Sequence, residues 1–254
     1  MINVAVCGAF GRMGTIIGDM INNDPDLAYA GGIDLRSGEL FGKPVVEAAD
    51  LDSFLKTVKP DCLIDFTIAS ASVTNIEIAA RNKTALVVGT TGFNDEEEMR
   101  IRKATEGVVP IVKTTNFSVG VNIFWQLIRN AATLLNDYDC EVIEAHHRYK
   151  KDAPSGTART ILEILEEEMG AREKQYGRVG MTERGSEIGV HVIRGGDIVG
   201  DHKVLFSGNF ETIELSHRAY DRSVFARGAL RAAKWVSEQP AGMYTMKDVL
   251  GLAD

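Results

Sequence analysis

Short, continuously apolar runs alternate with longer amphipathic ones in the first part of the chain. The apolar runs are INVAVC, LAYAGGID, CLIDFT, ALVVGTT and VPIVKTT, and the amphipathic runs include RMGTIIGDMIN, VTNIEIAARN and EEEMRIRKAT. A strand that is apolar on both faces is typical of a parallel sheet with helices packed on both sides. The pattern therefore predicts an α/β fold that begins with a Rossmann-type, doubly wound parallel sheet.

The pattern changes near Asn116, where a second domain is expected to begin. SVGVNIFWQLIRNAATLLN predicts one long helix whose apolar residues recur at helical spacing, namely Ile123, Leu127, Ile128, Ala131, Leu134 and Leu135. After it come a strand-like run, YDCEVIEAHH, a helical run, TARTILEILEEEM, and three further strand-like runs, GVHVIRG, HKVLFSG and ETIELSHRA. These runs predict a second α+β domain with a mixed or antiparallel sheet. Trp125 and Trp235 lie in amphipathic runs and are expected in the core.

Composition and charge narrow the function classes. The 254 residues are 44% hydrophobic and 25% charged, and a net charge of -8 would repel phosphate polyanions, so neither nucleic acid nor a membrane surface is an expected partner. Cys7, Cys62 and Cys140 lie in apolar runs, which predicts buried, reduced thiols. No apolar run approaches the roughly 18 to 20 residues that span a bilayer, and no basic leader-like region opens the sequence. We therefore expect a cytoplasmic protein.

The stretch VAVCGAFGRMG carries glycines in a pattern typical of dinucleotide binding. Gly8, Gly11 and Gly14 follow a predicted strand and open a predicted helix, where the turn needs a positive φ angle and a pyrophosphate needs close approach to the backbone. Such a turn also occurs where no nucleotide binds. Asp34 ends the second predicted strand, where its carboxylate can accept hydrogen bonds from the adenosine ribose, and Arg36 can instead meet a 2′-phosphate. NADH and NADPH both fit this pattern, and an ordinary surface turn is the alternative.

Small and polar residues follow three later strands of the predicted parallel sheet. They are Asp65-Phe66-Thr67, Gly89-Thr90-Thr91-Gly92 and Thr114-Thr115-Asn116-Phe117. The carboxyl ends of parallel strands line the ligand crevice, so we expect the nicotinamide beside the last two turns. The alternative is ordinary turn chemistry, because Gly, Thr and Asn favour loops in any case.

The stretch EAHHRYKKDAPSGTA concentrates positive charge ahead of a predicted helix. Ser155 is a natural N-cap, and the amides of Gly156 and Thr157 then lie at the positive end of the helix dipole, which binds anions. The cations are His146, His147, Arg148, Lys150 and Lys151. Together these features predict a pocket for a small substrate with more than one carboxylate.

Three other interpretations of this stretch compete. Adjacent histidines can bind zinc, but neighbours on a strand point to opposite faces and no third ligand stands at the usual spacing, so no metal site is predicted. The run can also be a solvated loop, or the histidines can be structural. A dinucleotide fold, however, needs a proton source near neutral pH, and histidine, or a lysine whose pKa is lowered by positive neighbours and partial burial, is suited to supply one. No chemistry is assigned to His191, His202 or His217.

Five motifs together resemble the 4-hydroxy-tetrahydrodipicolinate reductase family, also called dihydrodipicolinate reductase. They are VAVCGAFGRMG, GTTGF, NFSVGVN, EVIEAHHRYKKDAPSGTA and GDIVG, in the family's order over nearly the whole chain. The resemblance implies reduction of a cyclic dicarboxylate, made from aspartate semialdehyde and pyruvate, to tetrahydrodipicolinate on the diaminopimelate route to lysine. Hydride would come from NADH or NADPH, and water would be lost.

The same resemblance implies a role for each matching residue. His146 would be the acid/base residue, Lys150 the proton donor, and His147, Gly156 and Thr157 the substrate contacts. The nucleotide would be bound by Gly8, Ala9, Phe10, Gly11, Arg12, Met13, Asp34, Arg36, Gly89, Thr90, Thr91, Thr114, Thr115, Asn116 and Phe117.

The resemblance also implies how the chain is divided. Residues 1–116 with 222–254 would form the nucleotide domain, because the C-terminal helix returns to it. Residues 117–221 would bind substrate and assemble a homotetramer through their sheet.

The sequence departs from the family pattern at the nucleotide loop. Phe10 is bulkier than the small residue common at its turn position, and Leu35 separates Asp34 from Arg36, which leaves the cofactor preference open. Two rival functions are a homoserine dehydrogenase relative and a redox-sensing regulator that binds the dinucleotide without catalysis. A homoserine dehydrogenase relative would have no reason to carry the HHRYKKDAPSGT block. A regulator is disfavoured by the proton-donor candidates and by the lack of a basic DNA-binding helix.

Overall fold

The structure is a computed structural model that describes residues 1–252. The chain divides into two compact units. The first unit comprises Met1–Val119 together with the residues from Ser223 onward, and the second comprises Gly120–Arg222. Within residues 1–252, no helix is both long and apolar enough to cross a bilayer.

The first unit is built on one eight-stranded sheet. In spatial order its strands are β13 (Gly242–Tyr244), β7 (Pro110–Lys113), β6 (Ala85–Val88), β5 (Cys62–Asp65), β1 (Ile2–Cys7), β2 (Leu27–Asp34), β4 (Lys43–Glu47) and β3 (Gly38–Leu40). Every neighbouring pair is parallel except β3 and β4, which are antiparallel. The predicted Rossmann-type sheet is therefore confirmed.

Helices cover both faces of this sheet. One face carries α1 (Arg12–Asn22), α7 (Ser223–Val236) and α8 (Met246–Leu250), and the other carries α2 (Leu51–Val58), α3 (Ala69–Arg81) and α4 (Asp95–Thr105). Along β1, Val4 and Val6 pack into the first helical layer and Ala5 and Cys7 into the second, and all four are fully buried. Burial on both sides is the reason why these strands are continuously apolar.

Four short elements of the first unit carry no clear sequence signal: β3, β4, β13 and α2. The three strands have three to five residues, lie at or beside the sheet edges, and are largely exposed. They therefore lack the apolar run that marks a buried strand. The helix α2 has only eight residues and follows a short 3-10 turn at Ala48–Asp50.

The second unit combines two helices with a five-stranded sheet. The helices are α5 (Val119–Leu134) and α6 (Gly156–Met169), and the strands in spatial order are β12 (Thr212–Ala219), β11 (Gly200–Ser207), β8 (Asp139–His146), β10 (Ile188–Arg194) and β9 (Lys174–Tyr176). The strand β11 pairs antiparallel with β12 and β8, whereas β10 is parallel to β8 and β9. The predicted α+β domain with a mixed sheet is confirmed.

The buried stripe of α5 differs from the predicted one. Ile128 is buried as expected, and Phe124 and Ala132 join it in the core. Three other residues of the predicted stripe are 43%, 49% and 80% exposed, namely Ile123, Leu127 and Leu134. A helix that is apolar over much of its circumference has two apolar stripes, and only tertiary packing decides which one is buried.

The cysteines and tryptophans follow the sequence expectations. Cys7, Cys62 and Cys140 are free, buried thiols. Trp235 is partly buried against the core of the first unit, and Trp125 against that of the second.

Candidate active site

The glycine loop of the first unit joins β1 to α1. Gly8 has a φ angle of 79°, which favours glycine, and its carbonyl oxygen accepts a hydrogen bond from the Gly11 amide at 2.9 Å. A Cβ atom at Gly14 would lie 2.0 Å from the Gly8 carbonyl oxygen. Only glycine therefore fits where the loop crosses the first turn of α1. This tight turn leaves the N-terminus of the helix open to an anion.

The Asp34 carboxylate holds this loop against the end of β2. Its oxygens accept hydrogen bonds from the amides of Phe10 at 2.8 Å and Leu35 at 2.7 Å. A carboxylate has about four acceptor positions, so those that remain suit ribose hydroxyls. The Phe10 ring lies against Gly38 and beneath the Arg36 guanidinium, whose Cζ is 5.0 Å from the ring centroid. The bulky Phe10 thus packs beside the two residues that are expected to distinguish NADH from NADPH.

A second carboxylate orders the turns that follow β5 and β6. Asp65 is fully buried and accepts hydrogen bonds from the amide and hydroxyl of Thr67 at 3.0 and 2.7 Å. It also accepts from Thr90 Oγ1 at 2.9 Å and from Asn75 Nδ2 at 2.7 Å. Donors on every side replace the water that a buried carboxylate loses. The two turns are therefore fixed relative to each other.

Aromatic packing brings the turn after β7 to the same place. The rings of Phe66 and Phe117 have centroids 5.7 Å apart, and a Cβ atom at Gly89 would lie 2.2 Å from the Phe66 ring. Among the other predicted nucleotide contacts, Ala9 is fully buried. The rest are exposed or half-buried, namely Arg12, Met13, Thr91, Thr114, Thr115 and Asn116.

Glu144 is at the centre of a polar cluster in the second unit. Glu144 and His146 are two positions apart on β8 and share a face, and Glu144 is fully buried. Its carboxylate accepts hydrogen bonds from His146 Nδ1 at 2.6 Å, from both Nη atoms of Arg194 at 2.8 Å, and from the Ser155 amide at 2.9 Å. Burial by itself would raise the pKa of Glu144, but the hydrogen bonds from His146, Arg194 and Ser155 outweigh burial and lower the pKa to about 2. Glu144 is therefore ionised.

Arg194 links this cluster to the loop that carries Lys150. Its Nη2 atom also donates to the Asp152 carbonyl oxygen at 2.7 Å, and the Asp152 carboxylate pairs with Lys150 Nζ at 2.9 Å. The Lys150 side chain is 22% exposed. The sequence pattern predicts positive neighbours for Lys150, whereas in the structure its ammonium group contacts a carboxylate.

Ser155 caps α6 as predicted. Its Oγ atom accepts a hydrogen bond from the Ala158 amide at 3.2 Å and pairs with His202 Nε2 at 3.1 Å. His202 is 4% exposed, and burial, followed by the nearby His146, lowers the pKa of His202 to about 3. The imidazole of His202 is therefore neutral near pH 7. Its ring meets that of His146 edge to face, with centroids 5.1 Å apart.

The other residues of the cationic stretch lie closer to the surface. His147 is half-buried, and Arg148 and Lys151 are exposed. Gly156 and Thr157 form the first turn of α6. Among residues 1–252, no group of three or more His, Cys, Asp or Glu side chains is arranged to hold a metal ion.

The sequence pattern predicts no role for four residues of this cluster: Glu144, Asp152, Arg194 and His202. A glutamate two positions before a histidine on a strand is a usable signal, because the two side chains share a face. Arg194 and His202 carry no comparable local signal. They lie on β10 and β11 and reach the cluster only through strand pairing.

Two family models match successive parts of the chain. The model described as dihydrodipicolinate reductase, N-terminus, matches residues 2–117, and the one described as dihydrodipicolinate reductase, C-terminus, matches residues 120–250. The 4-hydroxy-tetrahydrodipicolinate reductases of Methanocorpusculum labreanum and Methanoculleus marisnigri are 63% and 66% identical to the chain over 252 residues, which are 99% of this chain and 100% of each relative.

Solved structures share the same architecture. The dipicolinate-bound dihydrodipicolinate reductase from Paenisporosarcina sp. TG-14 has a TM-score of 0.82 at 25% identity, over 96% of this chain and 97% of that one. An engineered D-amino acid dehydrogenase bound to NADP+ has a TM-score of 0.60 at 15% identity, over 100% of this chain and 97% of that one, which shows the fold alone.

The chain is thus a two-unit α/β protein with a Rossmann-type unit. The matches to both family models, and the identity to relatives over nearly the full length, identify the family. The chain belongs to the dihydrodipicolinate reductase family.

The lowered pKa of His202 predicts that acid destabilises the fold. A histidine in the unfolded chain titrates near 6.5 and the folded His202 near 3, so the unfolded state binds more protons between these values. The contribution of His202 to stability is complete above pH 6.5 and is lost as the pH falls toward 3, by up to about 1.4 kcal/mol per pH unit. We expect His202→Gln to reduce the pH dependence of the free energy of unfolding.

Urea titrations between pH 6.5 and pH 5.5 measure this effect, because Glu144, with a pKa of 4.5 in the unfolded chain, is still mostly ionised in that range. Ser216→Ala, a non-titrating change on the neighbouring strand β12, is the control and should keep the wild-type slope. A wild-type slope in His202→Gln would contradict the assignment.

Proposed function

We propose that this chain catalyses the NAD(P)H-dependent reduction of 4-hydroxy-tetrahydrodipicolinate to tetrahydrodipicolinate, with loss of water, on the diaminopimelate route to lysine. The observation that carries the proposal is the hydrogen-bonded set of Glu144, His146, Arg194 and Lys150 beside the start of α6. This set combines two side chains suited to proton transfer with a helix terminus suited to anions. The names of the relatives agree with the reaction.

The first unit fits a nicotinamide nucleotide. A pyrophosphate needs close approach to the main chain, and the glycine loop has no room for a Cβ atom at Gly14. Asp34 suits the ribose hydroxyls of NADH, and Arg36 suits the 2′-phosphate of NADPH. The loop residues that would hold the pyrophosphate are Gly8, Ala9, Phe10, Gly11, Arg12 and Met13. Those that would meet the nicotinamide end are Gly89, Thr90, Thr91, Thr114, Thr115, Asn116 and Phe117.

The second unit offers partners for the two carboxylates of the substrate. His147 and the main chain of Gly156 and Thr157 would bind them at the start of α6, where the helix dipole contributes roughly half a positive charge. Two carboxylates on a small ring also match the cationic stretch in sign. Binding at two points would fix the orientation of the ring.

Proton transfer falls to His146 and Lys150. Loss of water from the hydroxylated ring would leave a conjugated imine, and a bound nicotinamide nucleotide would supply hydride to an electron-poor carbon of that imine. The negative charge that develops on the ring would then be neutralised by a proton. Lys150 Nζ is the proton donor in this proposal, and His146 is the acid/base residue. Because Glu144 engages Nδ1 of His146, proton transfer would occur at Nε2.

We also propose that the protein is a cytoplasmic homotetramer assembled through the sheet of the second unit. The helices α5 and α6 cover one face of this sheet. On the other face the paired side chains of Lys203 and Glu214 are 40% and 45% exposed. An antiparallel or mixed sheet with an uncovered face can pack against another subunit. Sedimentation velocity tests this assembly, and a monomer at micromolar concentration would exclude it.

The reaction is tested by mixing the purified protein with NADH or NADPH and the enzymatically generated cyclic dicarboxylate. We expect loss of nicotinamide absorbance. Omission of pyruvate from the generating mixture leaves only aspartate semialdehyde and is the control. Oxidation of the nucleotide by the aldehyde alone would favour a homoserine dehydrogenase relative, and nucleotide binding without turnover would favour a regulator.

Lys150→Ala is expected to lower kcat by at least about 100-fold, because general acid catalysis contributes on the order of 10²–10⁴ to such rates. The KM for the cyclic dicarboxylate should change far less. Lys174→Ala removes the same charge from the edge strand β9 of the same unit and is the control, with wild-type kcat. A raised KM with intact kcat in Lys150→Ala would remove Lys150 from the donor role.

A further inference from the structure

We propose that Glu144 is a positioning residue that sets the tautomer of His146 and, through Arg194, holds the loop that carries Lys150. The proposal rests on the reaction proposed above, because that reaction gives both side chains a proton to transfer. It assigns Glu144 no contact with substrate or nucleotide. The role of Glu144 is to determine which nitrogen atom of His146 can exchange a proton.

The carboxylate of Glu144 has no acceptor position left over. Its Oε2 atom accepts from His146 Nδ1 at 2.6 Å and from Arg194 Nη1 at 2.8 Å. Its Oε1 atom accepts from Arg194 Nη2 at 2.8 Å and from the Ser155 amide at 2.9 Å. These contacts match the roughly four acceptor positions of a carboxylate, and the side chain is 0% exposed. Glu144 is therefore enclosed and acts on the reaction through its neighbours.

The ionised state of Glu144 fixes the hydrogen on His146. An ionised carboxylate can only accept hydrogen bonds, so the Nδ1 atom of His146 must carry the hydrogen in this contact. In neutral His146, Nε2 is then the unprotonated nitrogen and is the atom at which a proton is gained or lost. On β11, a Cβ atom at Gly200 would lie 3.1 Å from Nε2, so a larger residue at this position would crowd the nitrogen.

The charged and titratable groups around His146 come from three strands and are consistent with a hydrogen on Nδ1. Glu144 faces Nδ1 from the same strand, and Arg194 from β10 shares the Oε2 atom of Glu144. His202 from β11 meets the His146 ring edge to face and is neutral near pH 7. The ion pair of Glu144 with Arg194 therefore supplies the fixed charges beside His146.

Arg194 connects Glu144 to the loop of Lys150, the second residue proposed to transfer a proton. Its Nη2 atom bridges Glu144 Oε1 and the Asp152 carbonyl oxygen, and the Asp152 carboxylate holds Lys150 Nζ. A planar guanidinium can make these contacts at once, because its donors are fixed in a fork. The position of the Lys150 loop thus depends on the same carboxylate that orients His146.

Glu144→Gln tests the first half of the proposal. The amide carbonyl can keep the contacts at the Oε1 position, but the amide nitrogen would donate toward His146 Nδ1, so we expect His146 to carry its hydrogen on Nε2 instead. Proton–nitrogen correlation spectra of protein with isotope-labelled histidine report this tautomer, with the His146 signals identified by His146→Gln. We expect kcat to fall by about 10- to 100-fold, which is the typical cost of losing a carboxylate that orients a metal-binding histidine through its other ring nitrogen. The Kd for dipicolinate, measured without nucleotide, should change by less than about threefold because the Ser155 contact is kept.

Arg194→Lys tests the second half and keeps the charge that balances Glu144. A lysine cannot make the forked contacts to Glu144 and Asp152, so we expect kcat to fall by about tenfold while the His146 tautomer stays as in the wild type. Glu168→Gln is the matched control. It removes a carboxylate that pairs with Arg129 and accepts from Thr133 Oγ1 at 2.9 Å in the same unit, and it should keep wild-type kcat and tautomer.

Two results would overturn the proposal. One is a folded Glu144→Gln variant with the wild-type tautomer and wild-type kcat. The other, which decides the matter if Glu144→Gln does not fold, is wild-type kcat in Arg194→Lys. Failure of the proposed reaction is distinguishable from both, because the wild-type protein would then show no oxidation of NADH or NADPH that depends on the cyclic dicarboxylate. The tautomer and dipicolinate measurements would still report on Glu144.

Discussion

The arrangement of the polar cluster in the second unit depends on one buried charge, the carboxylate of Glu144. Removing a carboxylate from water costs several kcal/mol unless other donors replace its hydration, so Glu144 requires its partners. They come from separate elements: His146 on β8, Arg194 on β10, and Ser155 at the start of α6. Through Arg194 the main chain at Asp152 joins the same network. Satisfying this carboxylate therefore fixes two strands, a loop and a helix start relative to one another, and the residues proposed to transfer protons take their geometry from it.

The same arrangement recurs at the strand ends of the first unit. Asp34 at the end of β2 accepts the Phe10 amide, and Asp65 at the end of β5 accepts the Thr67 amide. These hydrogen bonds order the loops together with the packing of the Phe10, Phe66 and Phe117 rings. A carboxylate anchored on a strand can hold the main chain of such a loop by hydrogen bonds without filling the crevice. In both units, acidic side chains at strand ends order the loops that are proposed to bind ligands.

Ion pairing within the chain reduces the positive charge that the cationic stretch can offer a ligand. The chain has a net charge of -8, and the run of basic residues around His146 stands out against it. In the structure the Lys150 ammonium group contacts the Asp152 carboxylate, so part of the positive charge is already balanced. Charge alone is therefore a weaker basis for dicarboxylate binding than the sequence suggests. The proposed binding depends also on directed hydrogen bonds at the start of α6, where geometry as well as charge selects the ligand.

The features that depend on near neighbours along the chain could be predicted from the sequence: the buried parallel strands, the glycine loop, the Ser155 cap and the motifs that identify the family. Periodicity and dihedral preferences act over a few positions, so these signals survive without tertiary information. The packing of the folded chain selects the apolar stripe of α5 that is buried, and it leaves Ile123 exposed. It also brought Arg194 to Glu144 across 50 positions, and His202 to Ser155. Such contacts depend on the order and register of paired strands, which no local pattern specifies.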